Sequence, residues 1–342
     1  MEDSKQIKTY VKMFEDKLQA IASEQNKKAM EKYMRNIQEY RGVKAPEVKN
    51  IYREVWAELK KSEDICPKEV AHELIRSKYG EDKNCGLLIF ESVKKKVVLD
   101  DINRLVPLFE DGTLAGWANT DTVCGKVLRH WCVGDVERVK YIINWKNSKN
   151  IWLQRASCVA FVNLARFGDN KPNYKGFLDT LIETCETTIK NPERFVQLGT
   201  GWLLREIGVA DKKRLHKFIE ENYKYFSREG LRYAIEKLPN SEQKRFLNMN
   251  LKKDLEEEEI ETKVSKRVKK NGAKADEEKK MVVEDKPTAR RSSRSSSRKI
   301  VVEKEEEEKD EEESNSSGQE ERVVKKKVTR KKVTTMKKTL KG

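Results

Sequence analysis

In the segment GWANTDTVCGKV, at 116–127, a tryptophan and an aspartate stand four residues apart. On a helix that spacing places Trp117 and Asp121 on one face, one turn from each other. An indole face attracts a cation through its quadrupole, and a carboxylate attracts it by charge. Together they suit a positively charged ligand. A core tryptophan beside an exposed or capping aspartate is the competing reading, and the pair alone favours it. Three further segments carry residues of the same kind. SKNIWLQRASCVAF, at 148–161, sets Trp152 and Val159 on an apolar face with Arg155 one turn on; an arginine in that setting is ordinarily at the surface. RFVQLGTGWLLREIG, at 194–208, places Gly199 and Gly201 inside a helical pattern, just ahead of Trp202. Glycines there cost stability, so they point to the close approach of a neighbouring helix or of a ligand's backbone. KYMRNIQEYRGVKAPEVKNI, at 32–51, sets Tyr33 in a helix and then turns through GVKAPE into the next.

The elements that must position these residues are helices. Tyr10, Val11, Phe14, Leu18 and Ile21 recur at helical spacing, as do Val48, Ile51, Tyr52, Val55, Trp56 and Leu59. Amphipathic stretches follow near 66–77, 84–97, 117–131, 135–146, 150–166, 174–189, 193–208, 211–224 and 227–237. The breaks are short and carry Pro, Gly or Asn: KAPE, ICPKE, FGDNKPN, KNPE and KLPNSE. No run of residues alternates with period two. Short turns force antiparallel neighbours, and pairs too thin to bury their own apolar faces stack on one another. The expectation is an all-α, HEAT-like helical-repeat solenoid with a loose period of 35–45 residues and a concave face suited to a long partner. An irregular α-domain is the alternative.

The chain has 342 residues and a net charge of +15. Every Trp, Tyr, Phe, Cys and His lies in residues 1–250, and from Leu251 to Gly342 there is no aromatic residue. Such a segment cannot bury enough apolar surface to offset its ordering entropy. A folded domain over 1–250 followed by a disordered, charged tail over 251–342 is therefore expected. Residues 1–250 hold 45 basic against 36 acidic side chains, and the tail 28 against 22. The folded part is basic in its own right, which favours an anionic partner such as nucleic acid. The tail's clusters KVSKRVKK, RRSSRSSSRK and KKKVTRKK suggest nuclear localisation or non-specific nucleic-acid contact, and its serines offer phosphorylation sites. The six Cys form no CxxC pair and the three His are scattered, so no metal site is expected and the cysteines are assigned to the core. Neither a signal-peptide core nor a run long enough to span a bilayer is present. An intracellular, nuclear setting is expected.

In order and rough spacing, the four segments resemble the AlkD-like family of DNA alkylation repair glycosylases. That family has a YM pair followed by a GIKTPE-like turn, matched here by Tyr33-Met34 and Gly42 to Glu47. Its Trp with an Asp four residues later falls on Trp117 and Asp121. Its NIWLQRA-like segment falls on Asn150 to Ala156, with the key arginine at Arg155, and its GWxLRE segment on Gly201 to Glu206, with the key aromatic at Trp202. The resemblance runs over roughly residues 5–235. Around the acidic residue many members carry WD-x-V-D, whereas Asp121 sits in WANTDTVC, with Asn119, Thr120 and Cys124 as departures.

The resemblance implies a monofunctional glycosylase that removes cationic alkylated purines, 3-methyladenine and 7-methylguanine, from duplex DNA without flipping the base. A cationic base leaves readily, so the developing oxocarbenium sugar needs negative charge and a water beside it; a carboxylate supplies both. Asp121 is the expected carboxylate, flanked by Trp117 and Trp202. Arg155 and Tyr33 are expected on the DNA backbone near the lesion, with Lys126, Arg129, Lys149 and Arg205 as weaker DNA contacts. No lysine falls in the pattern as an imine-forming nucleophile. No metal or organic cofactor is expected, and a monomer is. Two other readings stay open: a non-catalytic HEAT-like DNA-binding protein, and a protein-interaction scaffold.

Overall fold

The computed structural model describes residues 2–249. The boundary expected at 250 and the tail expected to be disordered lie outside the described residues.

The fold is all-α, a HEAT-like helical solenoid. Its helices are α1 (Glu2–Ala20), α2 (Glu24–Tyr33), α3 (Ala45–Leu59), α4 (Pro67–Ile75), α5 (Gly80–Ser92), α6 (Leu99–Asn103), α7 (Val106–Glu110) and α8 (Trp117–Val123). Then come α9 (Arg129–Cys132), α10 (Val136–Ile143), α11 (Ile151–Val159), α12 (Val162–Ala165), α13 (Phe177–Thr188), α14 (Arg194–Ala210), α15 (Lys212–Asn222) and α16 (Arg228–Ile235), with a further helical stretch at 240–249. The punctuation read from the sequence starts helices where it should. Pro67 opens α4 at its first position, where the missing N–H costs nothing. The Asn150 side chain accepts from the amides of Trp152 and Leu153 at 2.9 and 3.1 Å, capping α11, and donates to the Phe109 carbonyl at 2.8 Å. The apolar stripes also face inward. Phe14 and Leu18 of α1 and Val48, Val55 and Leu59 of α3 are buried, while Ile21, just past α1, is exposed. The two short helices α6 and α7 fall in a stretch where no periodic pattern stands out. Among the described residues no strand forms; Glu39 and Tyr79 make a single parallel bridge.

A row of helices runs through the molecule: α3 packs on α5, α5 on α8, α8 on α11, α11 on α14, and α14 on α16. Glycines set the last spacing. A Cβ on Gly201 would lie 2.6 Å from the Gly230 carbonyl oxygen, so only a residue without one lets α14 and α16 meet backbone to backbone. The junction is also tied by Gln197, which is buried. Its amide nitrogen donates to the carbonyls of Ile189, Asn191 and Tyr225 at 2.6, 2.9 and 3.1 Å, and its oxygen accepts from the Ser227 amide at 2.9 Å. One side chain thus joins the turn before α14 to the turn before α16.

Between α8 and α9 the chain forms a π-helical turn at Cys124–Leu128, one turn beyond Asp121. The widened turn shifts the phase of the rod between Asp121 and Arg129. Five of the six cysteines are buried as expected, but Cys66, at the N-terminus of α4, is exposed.

Candidate active site

The three segments of the middle and late chain land on successive members of the helix row. Trp117 and Asp121 lie on α8, Arg155 on α11 and Trp202 on α14. Asp121 and Arg155 are 34 residues apart, and Arg155 lies 40 residues before its other partner, Phe195. The loose repeat period is what stacks one such residue on the next.

The centre is an ion pair. Arg155 Nε donates to Asp121 Oδ1 and Arg155 Nη2 to Asp121 Oδ2, both at 2.9 Å, while Nη1 donates to the Phe195 carbonyl at 2.8 Å. Arg155 is only 5% exposed. The sequence suggests a surface arginine on a DNA phosphate; the structure instead turns it inward and commits its fork to Asp121. Burial works against the charged guanidinium, and the Asp121 carboxylate outweighs it, leaving Arg155 above its ordinary value. Space for the side chain is supplied by Gly199, where a Cβ would approach Arg155 Cγ to 3.1 Å. Each expected glycine therefore has its own neighbour: Arg155 for Gly199, and α16 for Gly201.

Asp121 keeps 20% of its side-chain surface exposed. Each oxygen accepts one bond from Arg155 and retains a lone pair for a water or a polarised ligand. Trp117, one turn back and half-buried, meets the exposed Tyr33 edge to face, with ring centroids 6.0 Å apart. Tyr33 is held there by a sharp turn: Arg35 and Asn36, immediately after α2, both adopt left-handed backbone, at φ 54° and 55°. Two consecutive non-glycine residues in that region are a strained arrangement of the kind found at working sites.

On the α14 side, Trp202 lies 6.2 Å from Tyr233 of α16, and the Arg205 guanidinium sits 4.8 Å over the Tyr233 ring. Tyr233 is a residue that the sequence reading missed. Burial raises its phenol, while the nearby guanidiniums of Arg205 and Arg155 act the other way, and Asp121 also acts on it. It packs beside Trp202 and lies within electrostatic reach of the ion pair. No motif marks it; only the closeness of α14 and α16 brings it there.

The remaining expected DNA contacts are less free than isolated cations. Lys126 pairs with Glu91 at 2.7 Å, Arg129 donates to His130 at 3.1 Å, and Arg205 pairs with Glu206 and Glu236 at 3.1 and 2.5 Å. Lys149 is exposed. Burial lowers His130, and Arg129, Lys94 and Lys126 add to that effect, so positive charge does gather around it. The three departures in WANTDTVC are packing residues. Asn119 donates to Gln38 and to the Ala115 carbonyl at 2.7 and 2.8 Å, Thr120 donates to the Gly116 carbonyl at 3.0 Å, and Cys124 is fully buried against α11. They leave the exposed side of α8 to Trp117 and Asp121. Among the described residues, no group of His, Cys, Asp and Glu is arranged to hold a metal ion, and no helix is long and apolar enough to cross a membrane.

Comparison with known proteins gives a family and a fold. The family described as DNA alkylation repair enzyme matches residues 14–238, a span that contains every residue of the candidate site. Among solved structures, a predicted DNA alkylation repair enzyme from Enterococcus faecalis superposes with a TM-score of 0.54 at 16% identity, covering 64% of this chain and 97% of its own. At that identity the likeness speaks for the fold. No curated protein sequence matches the chain.

Proposed function

The chain belongs to the family of DNA alkylation repair enzymes, and from that premise we propose that it is a DNA glycosylase hydrolysing the N-glycosidic bond of cationic alkylated purines in duplex DNA. The observation that carries the proposal is the Asp121–Arg155 pair: a carboxylate oriented at both oxygens, partly open to solvent, one helical turn from an accessible indole. Such a group does not need to protonate the base. A 3-methyladenine or 7-methylguanine already carries the positive charge that makes it leave. Asp121 would face the sugar as it becomes an oxocarbenium ion, and its remaining lone pairs would hold the capturing water. Trp117 and Trp202 would flank the nucleotide, offering ring faces to sugar and base. With Arg155 committed to Asp121, we reassign it from phosphate contact to positioning residue, and assign the DNA backbone to Tyr33, Lys149 and the cations around His130. Binding should then weaken steeply with salt.

The test is base release from a duplex carrying 7-methylguanine. Wild-type protein should release the base, and Asp121→Asn should be slower by about 10²-fold or more. Equal release by both, or none by either, overturns the catalytic assignment. One observation favours the second reading, a DNA-binding protein without the chemistry: both Asp121 oxygens already engage an arginine. Salt-sensitive duplex binding without base release would be its signature.

A further inference from the structure

Gln38 stands in the turn between Tyr33 and the GVKAPE segment. Its half-buried carboxamide has three partners. Oε1 accepts from Asn119 Nδ2 at 2.7 Å and from Lys83 Nζ at 3.3 Å, and Nε2 donates to the Tyr40 hydroxyl. Lys83, on α5, is only 3% exposed and makes no ion pair among the described residues. Asn119, in the first turn of α8, is also buried, and its amide nitrogen donates in addition to the Ala115 carbonyl at 2.8 Å. One carboxamide therefore joins the turn after α2 to α5 and to α8, the last of these 81 residues away in the chain.

The joined elements carry the two rings at the edge of the site. α8 starts at Gly116 with no side chain capping its first amides. Asn119 supplies the hydrogen bond by which this turn, with Trp117 on it, reaches the Tyr33 side of the site. On that side Arg35 and Asn36, just ahead of Gln38, hold left-handed backbone. A turn of that kind keeps its shape only where its surroundings over-determine it. The backbone beyond Gln38 is tied as well: the Gly80 amide donates to the Glu39 carbonyl at 3.0 Å, and the Tyr40 amide to the Glu31 carboxylate at 3.2 Å. Gly80, which opens α5, permits this closeness, since a Cβ there would stand 2.7 Å from Gln38 Nε2.

We propose that Gln38 is a positioning residue of this site, fixing the Trp117 indole against Tyr33 at the angle from which it meets the sugar. The meeting of indole and sugar rests on the glycosylase reading; the frame of hydrogen bonds stands without it. A carboxamide suits the task because its oxygen can take two donors while its nitrogen gives to a third group. Asn119 and Lys83 are both donors, so an acceptor must stand between them, and a side chain of the same length without oxygen would leave two buried donors unpaired. A ring misplaced by about 1 Å at the reacting sugar slows the chemical step without loosening contacts to the DNA backbone. Asn119, one of the departures in WANTDTVC, thereby gains a partner within the YM segment, and these two positions work as a pair.

The experiment labels the full chain with 5-fluorotryptophan and follows the fluorine resonances of its six tryptophans, that of Trp117 being assigned by its loss in Trp117→Phe. Gln38→Leu should shift or broaden the Trp117 resonance and leave those of Trp152 and Trp202 in place. Gln38→Glu keeps an acceptor for Asn119 and Lys83, and the Tyr40 hydroxyl can turn to donate to its second oxygen, so the wild-type resonance should return. In single-turnover release of 7-methylguanine, Gln38→Leu should be slower by about tenfold with its duplex affinity unchanged, and Gln38→Glu should restore the rate. A Trp117 resonance that Gln38→Leu does not move, or a loss that Gln38→Glu does not rescue, overturns the proposal. Asn119→Ala severs the same bond from the α8 side and is read in the same way, so the result does not hang on one variant folding. Absence of base release by wild type would count against the glycosylase reading, and the fluorine resonance alone would then decide whether Gln38 holds the indole.

Discussion

Arg155 and Lys83 are both cations on the central helix row, buried to nearly the same degree, 5% and 3% exposed. Their partners differ. Arg155 has a carboxylate matched to its fork; Lys83 has a single amide oxygen at 3.3 Å. The consequences are opposite. Arg155 is held above its ordinary value and stays a fixed charge, whereas Lys83 falls to about 8 and becomes an amine that can give up its proton near neutrality. Burial penalises both charges, and the presence or absence of a matched carboxylate decides which of the two keeps its proton.

Four changes would break or sharpen that contrast. The largest effect is expected from Asp121→Ala, which strands Arg155 without its carboxylate. Denaturant unfolding should show a loss of about 3–5 kcal/mol, with base release falling about 10²-fold or more. The double variant Asp121→Leu, Arg155→Met should recover much of the stability and none of the activity. A single variant as stable as wild type would mean that the pair does not anchor α8 to α11. Second comes the pH dependence of Lys83. The unfolded chain holds this proton up to 10.5, the folded chain only to about 8. Below pH 8 the cost of burying the charge is present in full. Between 8 and 10.5 the folded form sheds the proton first, so stability should rise with pH by about 3 kcal/mol in total. Lys83→Met should remove this rise and stabilise the protein near pH 7; an unchanged slope in the variant would remove Lys83 as its source. Third, Gly201→Ala drives a Cβ against the Gly230 carbonyl and should cost about 1–3 kcal/mol in a thermal or denaturant melt. The smallest change in stability, within about 1 kcal/mol, is expected for Gly199→Ala. Its Cβ meets the flexible Arg155 stem, so the readout is a several-fold slower base release through a displaced Asp121.

Legibility in the sequence follows the same divide. Helices were readable because their apolar positions recur every three to four residues, and Asn150 and Pro67 mark starts whose chemistry is local. Trp117, Asp121, Arg155 and Trp202 were readable as a set because they sit in motif-like segments, and the two helical glycines announced a close approach before the neighbours were known. What Arg155 touches was not readable, since its partner is on another repeat. Tyr233 and Lys83 were not singled out at all. Each is an ordinary residue whose role depends on helices far apart in the chain, and the π-helical turn at Cys124–Leu128 is a change of backbone phase that no side-chain pattern records.

Gln197 gives this solenoid an unusual joint near its C-terminal end. In a stack of repeats the units near an end have fewer neighbours and open more readily. Here a single carboxamide on α14 holds the chain just ahead of α16, so α16 cannot lift away without stranding the Tyr225 carbonyl and leaving the buried Gln197 oxygen without the Ser227 amide. The two units should therefore open together. In hydrogen exchange, the Ser227 amide should be protected as long as the amides inside α14, and Gln197→Ala should let it exchange on its own.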